Sequence, residues 1–270
     1  MASTRENAIL EVIVYFDLFS DQLTILEIAQ SGEGEPLAEI ILTLRTSAWL
    51  RARLESRNGM WFLSGRDLCI AERQKRYRAS KPKIDRARRF AHLARFIPWV
   101  QQVYACNSLG LLHAKPESDI DLFIVAQRGH IWSARFFCVM IAKLFFSRPT
   151  LAHATDGICL SFFASQGAHL SKLALPGGDV YYAHWLKQLL PLIPHPALSR
   201  RERGWGEGIE SVMERLLRWM QLKMLPTHLK AMANRGTNVV ISDEFLKFHD
   251  HDKREYFRKE FQKRLAEVCA

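Results

Sequence analysis

A chain of 270 residues is long enough to bury a sizeable core, in two or three small units. Its 48% hydrophobic and 24% charged residues exclude a disordered or fibrous chain and fit a globular one. The net charge of +10, with a pI near 9.6, favours phosphate-bearing partners (nucleotides, nucleic acid or an anionic surface) and selects none of them.

Cys69, Cys106, Cys138, Cys159 and Cys269 are scattered with no C-x-x-C pair, which argues against a disulfide framework and a zinc site and for a reducing compartment. Met1 leads into STRENA without a basic and then apolar leader pattern, so no signal peptide is expected. The longest apolar stretch, 131–146, contains Arg135 and Lys143 and is too short to span a bilayer. These features predict a cytoplasmic protein with no membrane partner.

In chain order, residues 8–19 (AILEVIVYFDLF) have the dense apolar spacing of a buried helix. Thr24-Ile25-Leu26-Glu27 is a capping-box pattern that opens a second helix, and 31–35 (SGEGE) is a turn. Residues 37–54 predict a third helix carrying Arg45, Arg51 and Arg53. Asn58-Gly59 predicts a tight hairpin turn before Met60-Trp61-Phe62-Leu63, with a second turn at Ser64-Gly65. Three helices and a hairpin make a winged-helix arrangement, which either reads DNA through its third helix or serves as a packing module.

Residues 66–96 are strongly basic and predict a short strand followed by helical segments interrupted near Ser80-Lys81-Pro82. Arg86, Arg88, Arg89 and Arg95 either face a phosphate backbone or line the solvated side of a connecting helix. In the second case Ala87, Phe90, Leu93 and Ala94 form its core stripe.

The stretch 103–125, VYACNSLGLLHAKPESDIDLFIV, carries the clearest chemistry. A strand over 100–106 leads to a turn at Asn107-Ser108, a short helical segment, a loop with Pro116 and a strand over 120–125. Alternation along that strand puts Asp119 and Asp121 on one side, roughly 7 Å apart. Two carboxylates so close resist burial unless a cation neutralises them, and Mg²⁺ or Mn²⁺ suits oxygen ligands. Backbone N–H groups and the Ser108 hydroxyl at the turn suit phosphate oxygens. Together they suggest phosphoryl or nucleotidyl transfer.

This pattern resembles the polymerase-β-type nucleotidyltransferase superfamily, whose signature is Gly-Ser, a spacer of about ten residues, and Asp-x-Asp on a strand. Asn107-Ser108, the spacer 109–118 and Asp119-Ile120-Asp121 match it, with Asn107 where the family has glycine. Asn tolerates positive φ, so the turn is expected to survive with closer crowding of the phosphates. In the superfamily the next strand carries a third acidic residue. The strand expected over 157–164 (GICLSFFA) carries none. Its inward candidates are Cys159 and Ser161, or Ile158 and Leu160, and Asp156 is the only carboxylate nearby.

Between these strands, residues 131–146 predict a helix packing Trp132, Phe136, Met140 and Leu144 on the sheet, with Arg135 near its first turns and Arg148-Pro149 ending it. Residues 179–190 predict an amphipathic helix with Asp179 as N-cap. Residues 191–208, rich in Pro, Arg and Gly, read as a disordered insertion; Arg200, Arg201 and Arg203 give it a basic RG character. A helix over 210–225, a β-like run over 238–241 and a charged helix over 253–268, with Tyr256, Phe257, Phe261 and Leu265 as its buried stripe, complete the chain. His249-Asp250-His251-Asp252 has ligand-type residues, but their spacing favours capping and solvation.

The order AILEVIVYFDLF, WFLSGRD, NSLG, SDIDLFIV, IWSARFF, GICLSFF and ISDEFLKFHDHDKREYF is similar to a group of prokaryotic nucleotidyltransferase-domain proteins, in which a third acid is usually not obvious either. The resemblance implies an α+β fold: a small mixed sheet flanked by helices, a winged-helix-like domain over 1–66, a basic linker over 67–97, a nucleotidyltransferase core over 98–178 and a C-terminal helical region over 179–270. It implies that Asp119 and Asp121 hold Mg²⁺ or Mn²⁺, that Ser108, with Asn107 and Ser118, binds the triphosphate of an NTP, and that Asp156 is the nearest third acid. The expected reaction moves an NMP to a hydroxyl acceptor. The competing expectation is an inactive domain acting as a DNA-binding or toxin–antitoxin-like interaction module.

Overall fold

A computed structural model describes residues 3–32, 34–66, 69–146, 155–193 and 207–269. The chain runs through α1 (Thr4–Asp17), β1 (Leu23–Thr24), α2 (Ile25–Ser31), α3 (Leu37–Thr46), α4 (Ala48–Arg51), β2 (Leu54–Arg57), β3 (Met60–Leu63) and α5 (Cys69–Ala94). It continues with β4 (Val100–Ala105), α6 (Asn107–Gly110), β5 (Ile120–Ala126), α7 (Ile131–Phe145) and β6 (Ile158–Ser165). The remainder is α8 (Val180–Lys187), β7 (Leu190–Pro191), α9 (Glu207–Met224), α10 (Thr227–Met232), β8 (Val239–Ile241), β9 (Phe245–Phe248) and α11 (Arg254–Cys269). No described helix is long and apolar enough to cross a membrane.

This α+β chain forms two compact units, each with one sheet. The first gathers Met1–Arg78, Gly177–Gln188 and Lys253–Ala270; the second gathers Ala79–Pro176 and Leu189–Asp252. Residues 179–270, expected as one helical region, are therefore divided: α8 and α11 join the first unit, and the elements between them join the second.

In the first unit, Ser3 and Glu6 form a capping box that starts α1 four residues before the apolar run at Ala8. Thr24 and Glu27 form the expected box on α2. The helix expected over 37–54 breaks at Ser47, whose hydroxyl caps α4 through Leu50 N at 3.1 Å, and Leu54 already belongs to β2. Asn58 and Gly59 both have positive φ (54° and 76°), as a two-residue hairpin turn requires, and β1 adds a third antiparallel strand. α11 packs on α1 through Phe261, while Tyr256 is 62% exposed, contrary to the expected stripe. Asp179 caps α8 through Tyr182 N at 2.9 Å and pairs with Arg254 at 3.0 Å, with both side chains buried.

The second unit is built on a six-stranded sheet in the order β7-β4-β5-β6-β9-β8, in which only β5 and β6 run parallel. α7 connects those two strands. Its buried face is Ala134, Cys138 and Ala142, with Ile131 and the expected Trp132, but without Phe136, Met140 and Leu144 of the expected set; Leu144 is 70% exposed. Small side chains at i, i+4 and i+8 let the helix approach the sheet closely, and that outweighs side-chain size. The Glu214 carboxylate of α9 accepts from Trp132 N at 2.7 Å and Ser133 N at 2.9 Å, which caps the start of α7 and fixes α9 against it.

α5 is one helix with Pro82 inside it, not the interrupted segments expected over 66–96. Its neighbours are anchored on both sides of the proline. Ser80 Oγ accepts from Ala114 N at 2.9 Å, and buried Lys83 donates to the carbonyls of Pro116 (3.0 Å) and Ser118 (2.7 Å). These tertiary bonds offset the lost backbone bond. Of the expected core stripe, Ala87, Phe90 and Ala94 are fully buried, while Leu93 is only partly buried.

Of the stretch expected to be disordered, 191–193 instead belongs to the edge of the sheet: Leu192 N donates to Val103 O at 3.0 Å, and Gln102 Nε2 donates to Ile193 O at 3.1 Å. Residues 207 and 208 begin α9. Arg148, Pro149, Arg200, Arg201 and Arg203 lie outside the described residues.

Candidate functional site

The end of β4 and the start of β5 meet where Cys106 N donates to Asp121 O at 3.2 Å, so the residue after Cys106 lies beside the Asp-x-Asp motif. That residue is Asn107, at φ 54° in the left-handed region, where glycine or asparagine is tolerated and most side chains are strained. Its side chain hydrogen-bonds the Asp121 carboxylate. Ser108 follows in α6 with its side chain exposed, and its carbonyl accepts from His113 N at 2.7 Å.

Parallel pairing sets Cys159 of β6 directly beside Asp121. One carboxylate oxygen of Asp119, one of Asp121 and the Cys159 sulfur all lie within 4.8 Å of one another. Burial, and then the charge of Asp119, push the Asp121 carboxyl up to about 6; hydrogen bonds from Asn107 and Cys159 oppose the rise. Burial also raises Asp119, against its own backbone bond, Cys159 and the charge of Lys83. Among the described residues neither carboxylate has an arginine or lysine ion-pair partner. The charge of Lys83 offsets only part of the cost at Asp119, and the cluster is one that could hold a metal ion.

Asp156 does not join this cluster. It sits at φ 58°, with its carboxylate 2.5 Å from Lys83 Nζ, and its N–H donates to Ser118 O at 3.2 Å. Ser118 is likewise used within its loop: its hydroxyl donates to Lys115 O at 3.0 Å. Of the two inward pairs considered on this strand, the Cys159 and Ser161 face is the one beside the carboxylates. Ser161 Oγ lies 3.0 Å from His249 Nε2, so His249 serves β6, while His251 is 88% exposed; no metal-type grouping is found at the His-Asp run among the described residues.

Asp119, Cys159 and Ser161 form one wall of an open cleft of about 550 Å³. Arg135 and Lys143 of α7 form another, and apolar side chains including Met224 and Leu229 close the far side. Arg135 is held over the Phe248 ring at 4.7 Å and donates to Gln221 Oε1 at 2.6 Å. The cleft therefore has an anionic end, a cationic side and an apolar side, within one unit. Sequence reasoning missed Gln221, His249 and the structural role of Lys83. The partners named here lie 33 to 88 residues away in sequence, and no local pattern marks them.

The arginine face of α5 lies elsewhere. Arg86, Arg89 and His92 line a shallow groove of about 380 Å³ with Phe145 and Phe146, and Arg86 sits over the Phe146 ring at 5.4 Å. Comparison of the chain with protein-family models, curated proteins and solved structures returned no match.

Proposed function

We propose that this chain is a divalent-cation-dependent nucleotidyltransferase that moves an NMP from an NTP to a hydroxyl acceptor, with pyrophosphate leaving. The observation that carries it is the convergence of Asp119, Asp121 and the Asn107 side chain, with Asp119 on the wall of a cleft of nucleotide size. The α+β unit with its parallel β5–α7–β6 crossover suits a nucleotidyltransferase fold. A bound Mg²⁺ or Mn²⁺ supplies charge neutralisation for the triphosphate. The residues of the chain do the rest. Asp119 and Asp121 hold the ion, Asn107 keeps the turn open and orients Asp121, and the Ser108 hydroxyl meets a phosphate. Arg135 and Lys143 add positive charge, and the apolar wall excludes water from the base or the acceptor.

The competing reading, an inactive domain serving a DNA-binding module, draws on the position of Asp156, which leaves two carboxylates in the cluster. The first unit supports it weakly. The hairpin and helices fit a winged helix, but Arg53 is spent on Val268 O at 2.9 Å and on the Trp49 ring at 4.4 Å. We favour the enzyme and a cytoplasmic setting. The test is transfer of label from the α-phosphate of each NTP to nucleic-acid, protein and small-molecule fractions. Transfer is expected from the wild-type chain and not from Asp121→Asn. Equal transfer by both chains rejects the assignment.

A further inference from the structure

The centre contains a sulfur donor that a site built for Mg²⁺ has no use for. Cys159 is only partly buried, lines the cleft and points its sulfur at two carboxylates, so apolar packing does not account for it. A nucleophile is equally poorly served. Activated cysteines sit near positive charge, whereas this sulfur lies beside two carboxylates. Behind it, the Ser161 hydroxyl hydrogen-bonds the sulfur and is itself 3.0 Å from His249 Nε2, an outer chain of the kind that orients metal ligands.

We infer that Cys159 is the third ligand of the Asp119–Asp121 centre, and that this O,O,S donor set selects thiophilic divalent ions such as Zn²⁺ or Co²⁺ over Mg²⁺. The inference rests on the two-carboxylate metal centre of the proposed function and goes beyond it by assigning the ion. Mg²⁺ takes oxygen ligands in near-ideal octahedral geometry, whereas thiolate favours softer ions. Coordination releases the thiol proton to solvent and leaves the thiolate bound, which makes three anionic ligands around a divalent ion. Asp119 and Cys159 border the cleft, so the centre opens onto the space where a substrate would lie.

The test uses the full chain stripped of metal by chelation and titrated with Co²⁺, Zn²⁺ and Mg²⁺. A thiolate-to-cobalt charge-transfer absorption in the near ultraviolet is expected, with Zn²⁺ displacing the Co²⁺ and Mg²⁺ at the same concentration failing to do so. Cys159→Ser, nearly isosteric and expected to keep the wild-type melt, should lose the band and weaken Zn²⁺ binding by more than about a hundredfold, beyond the loss seen for outer partners. Cys159→Asp should lose the band and bind Mg²⁺ more tightly than wild type. No band in wild type, or a band that persists in Cys159→Ser, overturns the inference. Should NTP stabilisation with Mg²⁺ persist in that case, the transferase reading survives without it. A band lost in both variants, with no NTP binding under any ion, keeps the metal centre and removes the transferase.

Discussion

Asp121→Asn should make the metal-free chain more stable at neutral pH and abolish its response to divalent ions. The Asp121 carboxyl is moved from an ordinary 3.8 up to about 6, first by burial and second by the charge of Asp119. At 1.36 kcal/mol per pH unit this corresponds to about 3 kcal/mol; because the two carboxylates share the cost, on the order of 1–3 kcal/mol is recovered on neutralising one of them. For a chain of this size that is roughly 2–12 °C in the melting transition. The sign follows from proton uptake. Between 3.8 and about 6 the folded chain holds a proton that the unfolded chain has released, so the ionised group costs stability above that window and nothing below it. The gain in Asp121→Asn should therefore be full above pH 6 and vanish below pH 4. Adding Mn²⁺ at about 100 times its Kd should raise wild type by about 2.7 kcal/mol and leave the variant behind. Scanning calorimetry at pH 7.5 and pH 4, with and without Mn²⁺, reads all four states. A metal-free variant that melts lower than wild type at pH 7.5, or one that keeps the full response to Mn²⁺, refutes the electrostatic account of the site.

Further outcomes follow from groups outside the cluster. Asp156→Asn should leave cation and NTP affinity essentially unchanged, since that carboxylate is committed to Lys83; a large loss by calorimetric titration would return Asp156 to the site. Arg254→Met should cost about 3–5 kcal/mol by taking the paired cation from buried Asp179, and Asp179→Leu with Arg254→Met should recover all but about 1 kcal/mol for the lost α8 cap, measured by urea midpoint; an additive loss contradicts this. Burial pushes Asp21 up to about 8 and His184 down to about 4. Their opposite slopes nearly cancel from pH 4 to 6.5, and Asp21 alone makes stability fall between pH 6.5 and 8. Asp21→Asn should remove that fall, and a fall that persists in the variant assigns it to another group. Asn107→Val should lose NTP binding while Asn107→Gly retains most of it, because the position needs φ of 54°.

The motif was readable because its geometry is local. Strand alternation sets Asp119 and Asp121 on one side, and Asn107 takes the positive φ that asparagine tolerates. Capping boxes at Thr24 and the Asp179 cap were likewise written in four-residue patterns. What escaped depends on pairing between distant segments. The parallel register of β5 with β6 makes Cys159, not Asp156, the third member of the cluster; alternation along 157–164 left Cys159 and Ser161 as one of two inward pairs, and only the register chooses between them. The buried face of α7 was misread because close approach to a sheet rewards Ala134, Cys138 and Ala142 over larger apolar neighbours. Pro82 suggested a break that bonds from Ser80 and Lys83 to the 114–118 loop override.

The most direct test of the central claim, that Asp119 and Asp121 hold a divalent ion for a triphosphate, is a thermal-shift comparison of the full chain with each of the four NTPs, with Mg²⁺, Mn²⁺ or Co²⁺ and with none. At least one NTP should raise the transition only when an ion is present, and Asp119→Asn with Asp121→Asn should abolish the rise. No shift under any ion, or an equal shift in the double variant, contradicts the claim.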